Sequence, residues 1–176
     1  YMNPDPERAL ALEPDLLIMA GIQREQIEQF RSLGMKVLYI EEAATIDGVL
    51  EDISRFGDFT NNQERAAELH ASLRSRIDAI GLTLANIGVG PRVFFEITSD
   101  LYTVSSNTFV GDLLTLAKAK NIAANARSPF PQLSAEAIVA SNPEVILLAD
   151  GEFGENFDTV CARPGWEVIS ACINQR

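Results

Sequence analysis

The stretch Glu7-Arg8-Ala9-Leu10-Ala11-Leu12-Glu13-Pro14-Asp15-Leu16-Leu17-Ile18-Met19-Ala20 decides the fold, because it holds a short helix, a proline break and an apolar strand in direct succession. Asp5 is placed to cap the free amides of the helix, and Pro6 fills its first position, where a missing N–H costs nothing. Pro14-Asp15 ends the helix, and Leu16 to Ala20 is the continuous apolar run of a buried parallel strand. The same text recurs at an offset of 129: Glu7 falls on Glu136, Ala11 on Ala140, Pro14 on Pro143, Asp15 on Glu144 and Ala20 on Ala149. The caps Asp5 and Ser134 coincide, as do two aromatics placed six positions before each glutamate, Tyr1 and Phe130. A period this long excludes a solenoid, whose repeats are several-fold shorter, and predicts two similar α/β lobes. A common helix-proline-strand pattern that merely occurs twice is the competing explanation; caps, glutamates and aromatics sharing one offset favour the repeat.

Outward from the first copy, Ile27, Phe30 and Leu33 are spaced for one helix face, Gly34 supplies a C-cap, and Lys36 to Ile40 forms a second strand. From Thr45 to about Gly81 the period becomes helical: Ile46, Val49, Leu50, Ile53 and Phe56 mark one helix, and Leu69, Leu73, Ile77 and Ile80 a second. Gly57 to Asn62 separates them. The second helix extends over about 18 residues, roughly 27 Å, enough for a strut across a small domain. After Gly88-Val89-Gly90-Pro91, Arg92 to Ile97 is a strand and Phe109 to Ala117 a helix with Leu113, Leu114 and Leu116 on its face. Ser134 caps a helix to about Ala140, Val145 to Ala149 is another buried strand, and Pro164-Gly165-Trp166 starts the last helix with Trp166 as its anchor. The expected division is 1–44, a remainder of an N-terminal lobe; 45–90, connecting helices including the long one; and 91–176, a C-terminal lobe.

A chain of 176 residues with 47% hydrophobic content can bury a sizeable core. Its net charge of −11 repels a phosphate backbone or an anionic membrane, so nucleic acid is excluded as a partner. No run approaches the roughly eighteen apolar residues of a membrane span. The opening Tyr1 to Pro6 lacks the pattern of a secretion signal, and the chain reads as a piece of a longer protein. Cys161 and Cys172 are too few for a disulfide scaffold or a Cys-rich metal cluster; two unpaired thiols are the plainer reading, with a bridge between them left open. His70, the single histidine, lies on the expected strut as a surface residue, which gives a Ser-His-Asp triad little support and excludes a histidine-rich zinc or manganese site within this stretch. No catalytic residue and no metal ligand is assigned. Gly88-Val89-Gly90 precedes a strand, the wrong order for a phosphate loop. Asp150-Gly151-Glu152-Phe153-Gly154-Glu155 lacks the oxygen spacing of a calcium loop and reads as a solvated turn.

Two sets of residues carry candidate functions. Glu7 and Glu136 each fall at the second position of a helix, where a carboxylate meets the positive end of the dipole; beyond that stabilisation they form a matched pair of acidic knobs, one per lobe, for a partner with two basic pockets. Tyr1, Tyr102 and Phe130 lie at loop or strand-end positions, where open α/β sheets place ligands, and their rings suit a large planar ligand; the alternative for each is core packing.

The chain resembles the helical-backbone class of periplasmic binding proteins that serve cobalamin, haem and iron-siderophore importers. The resemblance rests on Asn3-Pro4-Asp5-Pro6-Glu7 leading to Leu12-Glu13-Pro14-Asp15-Leu16-Leu17-Ile18, on Leu33-Gly34-Met35-Lys36-Val37, and on Thr108-Phe109-Val110-Gly111-Asp112-Leu113-Leu114 with Lys120-Asn121-Ile122-Ala123. It continues in Pro131-Gln132-Leu133-Ser134-Ala135-Glu136 and in Arg163-Pro164-Gly165-Trp166. It implies an α/β protein of two Rossmann-like lobes, parallel sheets flanked by helices, bridged by one long helix, with the first lobe incomplete here. It also implies an extracytoplasmic solute-binding protein, periplasmic or membrane-anchored, that delivers its ligand to an ABC importer. The ligand, cobalamin or a related corrinoid first, then a ferric siderophore, then haem, would lie between the lobes against Tyr1, Tyr102 and Phe130. Glu7 and Glu136 would dock onto arginines of the transmembrane permease. No cofactor is required beyond that transported ligand. Lys118-Ala119-Lys120 stands where relatives carry glycines, so a different local backbone is expected there. The rival readings are a metal-cofactor enzyme or assembly protein on a similar fold, which would need clustered Cys or His, and an interaction module without a small ligand.

Overall fold

The computed structural model describes residues 4–176 apart from the side chain of Ile22, so Tyr1 lies outside the described residues. The chain divides after Ala43 into two compact units. In the first, Asp5 accepts hydrogen bonds from the amides of Glu7 and Arg8 at 2.9 and 3.3 Å and so opens α1 (Pro6–Ala11). Strands β1 (Leu17–Ala20) and β2 (Val37–Ile40) pair in parallel, Leu17 opposite Val37 and Ala20 opposite Ile40. A 3-10 turn, Gly21–Gln26, connects β1 to α2 (Ile27–Ser32). Met19, Ile27, Phe30 and Met35 form the core of this unit. Leu33 does not join them: α2 stops at Ser32, so Leu33 leaves the helical face and is exposed, and Met35 closes the core instead. Nor is β1 covered on both faces, since Met19 is buried while Ile18 faces outward.

The second unit begins with a helical hairpin, α3 (Ile46–Phe59) and α4 (Gln63–Leu84). Gly57, expected in the separator, lies inside α3, because a side chain there would collide with that of Ala66 on α4; the missing Cβ lets the two helices approach. Helix α4 has 22 residues where about 18 were expected, since it runs through Gly81 at a cost of only about 1 kcal/mol. Its carboxyl end is closed from outside: Lys118 Nζ donates to the carbonyls of Ala85 and Ile87 at 3.2 and 2.8 Å. Lys118 stands at φ 56°, the left-handed conformation that a glycine favours, so the backbone expected to change here keeps a glycine-like path.

The sheet of this unit has the order β4-β3-β5, all parallel, from β3 (Arg92–Glu96), β4 (Lys120–Asn121) and β5 (Val145–Leu148). Helices follow each strand: α5 (Phe109–Leu116), α6 (Ala135–Ser141), then α7 (Phe157–Cys161) and α8 (Ser170–Ile173). Alternation along β3 sends Phe94 into a cluster with Ile138, Val160, Trp166 and Ile169, and Val93 into another with Val104 and Leu114, so helices pack on both faces. Thr45, Thr108 and Ser134 cap α3, α5 and α6 by accepting from the amides of Gly48, Gly111 and Ala137. The first helical residues Pro6 and Ala135 differ by 129, the repeat offset read from the sequence. Pro164-Gly165-Trp166 opens a 3-10 turn, Trp166–Val168, before the separate short helix α8. Trp166 is buried edge-on to Phe94, with ring centroids 6.1 Å apart. Cys161 and Cys172 are not free thiols but a disulfide, Cα atoms 5.6 Å apart, because the turn between them brings the end of α7 back onto α8. Among the described residues no helix is long and apolar enough to cross a membrane.

Candidate functional site

Beyond Glu96 the chain folds back on itself, Leu101 donating to Thr98 O at 2.9 Å and Ile97 to Tyr102 O at 2.8 Å. Tyr102 is bridged antiparallel to Thr98 on one side and to Gln132 on the other. The amides of Thr103 and Ser105 each donate at 2.9 Å to the carbonyls of Pro131 and Pro129, and Gln132 Nε2 donates to Asp100 O at 2.8 Å. The loop that follows β4 and carries Phe130 is thereby stitched to the loop that follows β3 and carries Tyr102. Both lie at the carboxyl ends of parallel strands, the usual ligand edge of an open α/β sheet. Tyr102 is 39% and Phe130 56% exposed, so neither ring belongs to the core.

Beneath these loops lies a charged group that sequence reading missed. Glu96, the last residue of β3, has no exposed surface, and its carboxylate accepts two hydrogen bonds of 2.6 Å from Arg163. The same guanidinium donates to Glu155 at 2.9 Å and stacks over Trp166, 4.8 Å from the ring centroid. Burial pushes the Glu96 carboxyl above its ordinary range against the opposing pull of Arg163, while the hydrogen bonds to Glu96 raise Arg163 further. The available signal was the pairing of a charged strand end with the arginine of Arg-Pro-Gly-Trp; spacing alone gives no reason to join residues 67 positions apart. The turn expected to be solvated is so only in part: Asp150 is 3% exposed, with neither carboxylate oxygen hydrogen-bonded, while Glu152 and Phe153 project into solvent.

Glu7 and Glu136 are exposed at the second positions of α1 and α6, each on its own unit. The amide of Glu136 itself and the Ser134 hydroxyl hold the Glu136 carboxyl below its ordinary range. His70 is half-buried, its Nδ1 3.3 Å from Ser54 Oγ, a contact that links α4 to α3. No group of three or more His, Cys, Asp or Glu among the described residues is arranged to hold a metal ion.

The chain belongs to the periplasmic binding protein family, which it matches over residues 1–176. It is 35% identical over 145 residues to the cobalamin-binding protein of Halobacterium salinarum, covering 80% of this chain and 39% of that one. It is 29% identical over 183 residues to an uncharacterized ABC transporter substrate-binding lipoprotein of Bacillus subtilis, covering 99% of this chain and 57% of the relative. The chain thus spans about half the length of the curated relatives it matches. Among solved structures, a possible iron-binding (periplasmic solute-binding) protein from Staphylococcus epidermidis superposes with a TM-score of 0.84 at 25% identity, over 99% of this chain and 70% of that one.

Proposed function

We propose that this chain is the ligand-capturing part of an extracytoplasmic solute-binding protein that hands a cobalamin-like corrinoid, or a ferric siderophore, to an ABC importer. The observation that carries the reading is the pair of exposed aromatics, Tyr102 and Phe130, held on two cross-linked loops at the carboxyl edge of a parallel sheet. Two flat rings fixed at a ligand edge suit a large planar ligand, because stacking rewards area that is already ordered. The name of the Halobacterium salinarum relative favours the corrinoid over the siderophore. Tyr1 is proposed as a further ring of the same ligand site. No bond of the ligand is made or broken, and release follows docking, in which Glu7 and Glu136 meet basic pockets of the permease.

The test is a fluorescence titration of the natural full-length protein with cyanocobalamin, a ferric hydroxamate and haemin. Saturable quenching by cyanocobalamin or the hydroxamate is expected, and loss of most affinity in Tyr102→Ala and Phe130→Ala. Silence from all three ligands overturns the reading. For docking, Glu7→Gln together with Glu136→Gln is expected to leave ligand affinity intact and to weaken complex formation with the reconstituted permease at least tenfold, read by co-elution; undiminished co-elution rejects that role.

A further inference from the structure

Phe153 is 88% exposed at the end of a 3-10 turn, Gly151–Phe153, that directly follows β5. A lone exposed phenylalanine needs no explanation, but this one completes a series. In the sheet order β4-β3-β5, the loop after β4 presents Phe130, the loop after β3 presents Tyr102, and the loop after β5 presents Phe153. The turn is also pinned at both ends: Asp150 is buried, and Glu155 is held at 2.9 Å by Arg163, which in turn grips Glu96 at the end of β3. A ring held out on a fixed turn loses little freedom when something stacks on it.

The same edge has a definite charge. The three strand-end loops carry the carboxylates of Asp100, Asp150, Glu152 and Glu155 against the guanidinium of Arg127, and Arg163 and Glu96 cancel each other. Asp100 accepts a hydrogen bond from Thr98 in the loop that carries Tyr102, and Glu152 directly precedes Phe153.

Resting on the reading of this edge as the ligand site, we propose that Phe153 is a further aromatic ligand contact beside Tyr102 and Phe130 and that the carboxylates around it restrict the ligand to planar metal complexes without net negative charge. Corrinoids satisfy this restriction; a haem with two ionised propionates does not. Like charges brought together at low dielectric raise the cost of binding, and the effect weakens as salt screens it.

The natural full-length protein is titrated at low salt with cyanocobalamin, which is neutral, aquacobalamin, which is cationic, and haemin, which is anionic. Both cobalamins are expected to bind, with haemin at least 10-fold weaker and the gap narrowing in Asp100→Asn/Glu152→Gln. Phe153→Ala is expected to weaken cyanocobalamin binding roughly 10-fold with an unchanged thermal midpoint. Haemin binding as tight as cyanocobalamin, or a Phe153→Ala variant of full affinity, overturns the inference while leaving the solute-binding reading standing. Failure of the wild type to bind any tetrapyrrole or a ferric hydroxamate overturns both.

Discussion

Arg163 donates two short hydrogen bonds to a carboxylate that has no contact with solvent, so its removal strands Glu96 as an uncompensated buried charge. Arg163→Ala is expected to cost about 3–5 kcal/mol, measured as the shift in urea unfolding. The ionisation of Glu96 lowers stability as pH rises. Its carboxyl lies above the ordinary 4.5, so the folded chain holds this proton after the unfolded chain has lost it. Its stabilising contribution is therefore complete below about pH 4.5 and disappears as pH rises through the raised folded value. In Glu96→Gln the part of the pH profile that falls above pH 4.5 is expected to flatten, as read from urea midpoints across pH 4 to 8. Glu136 has the opposite sign, with its contribution present above 4.5 and lost as pH falls, but its exposure keeps that effect small.

At the scale of elements, the hairpin of α3 and α4 depends on a residue with no side chain. Gly57→Ala would push a methyl group into Ala66 on the facing helix, and a loss of about 1–3 kcal/mol is expected from thermal or urea unfolding. The carboxyl end of α4 depends on Lys118, whose ammonium meets the Ala85 and Ile87 carbonyls. Lys118→Met keeps the stem and removes those bonds, so a loss of about 1 kcal/mol is expected by the same measurement. Lys118→Gly loses the bonds but relieves a left-handed backbone, and its stability is expected to exceed that of Lys118→Met. The starts of α1 and α6 were legible because caps act over three residues; Asp5 and Ser134 both do what their spacing implies. The extent of α4 was less legible, because what closes its end is a lysine more than thirty positions away.

Over the whole molecule, the disulfide closes the segment that carries Arg163 and Trp166, both of which pack against β3. Reduction, or Cys161→Ala with Cys172→Ala, is expected to lower stability by about 2–4 kcal/mol and to expose Trp166 to quenchers, measured by iodide quenching of tryptophan fluorescence during a denaturant series. The net charge of −11 opposes compaction, so moderate salt is expected to raise the thermal midpoint while weakening any discrimination against anionic ligands.

Patterns carried by neighbouring residues were available from the sequence alone: the repeat at offset 129, the cap-proline-strand text, the α/β class and the family they resemble. Those signals depend on local backbone chemistry, which neighbours in the chain determine. Only tertiary structure decided that Cys161 joins Cys172, that Arg163 neutralises Glu96, that Leu33 yields its place to Met35, and that Tyr102, Phe130 and Phe153 share one sheet edge. Each of these depends on which strands become neighbours and which helix covers them, and strand order is fixed by burial summed over the whole chain.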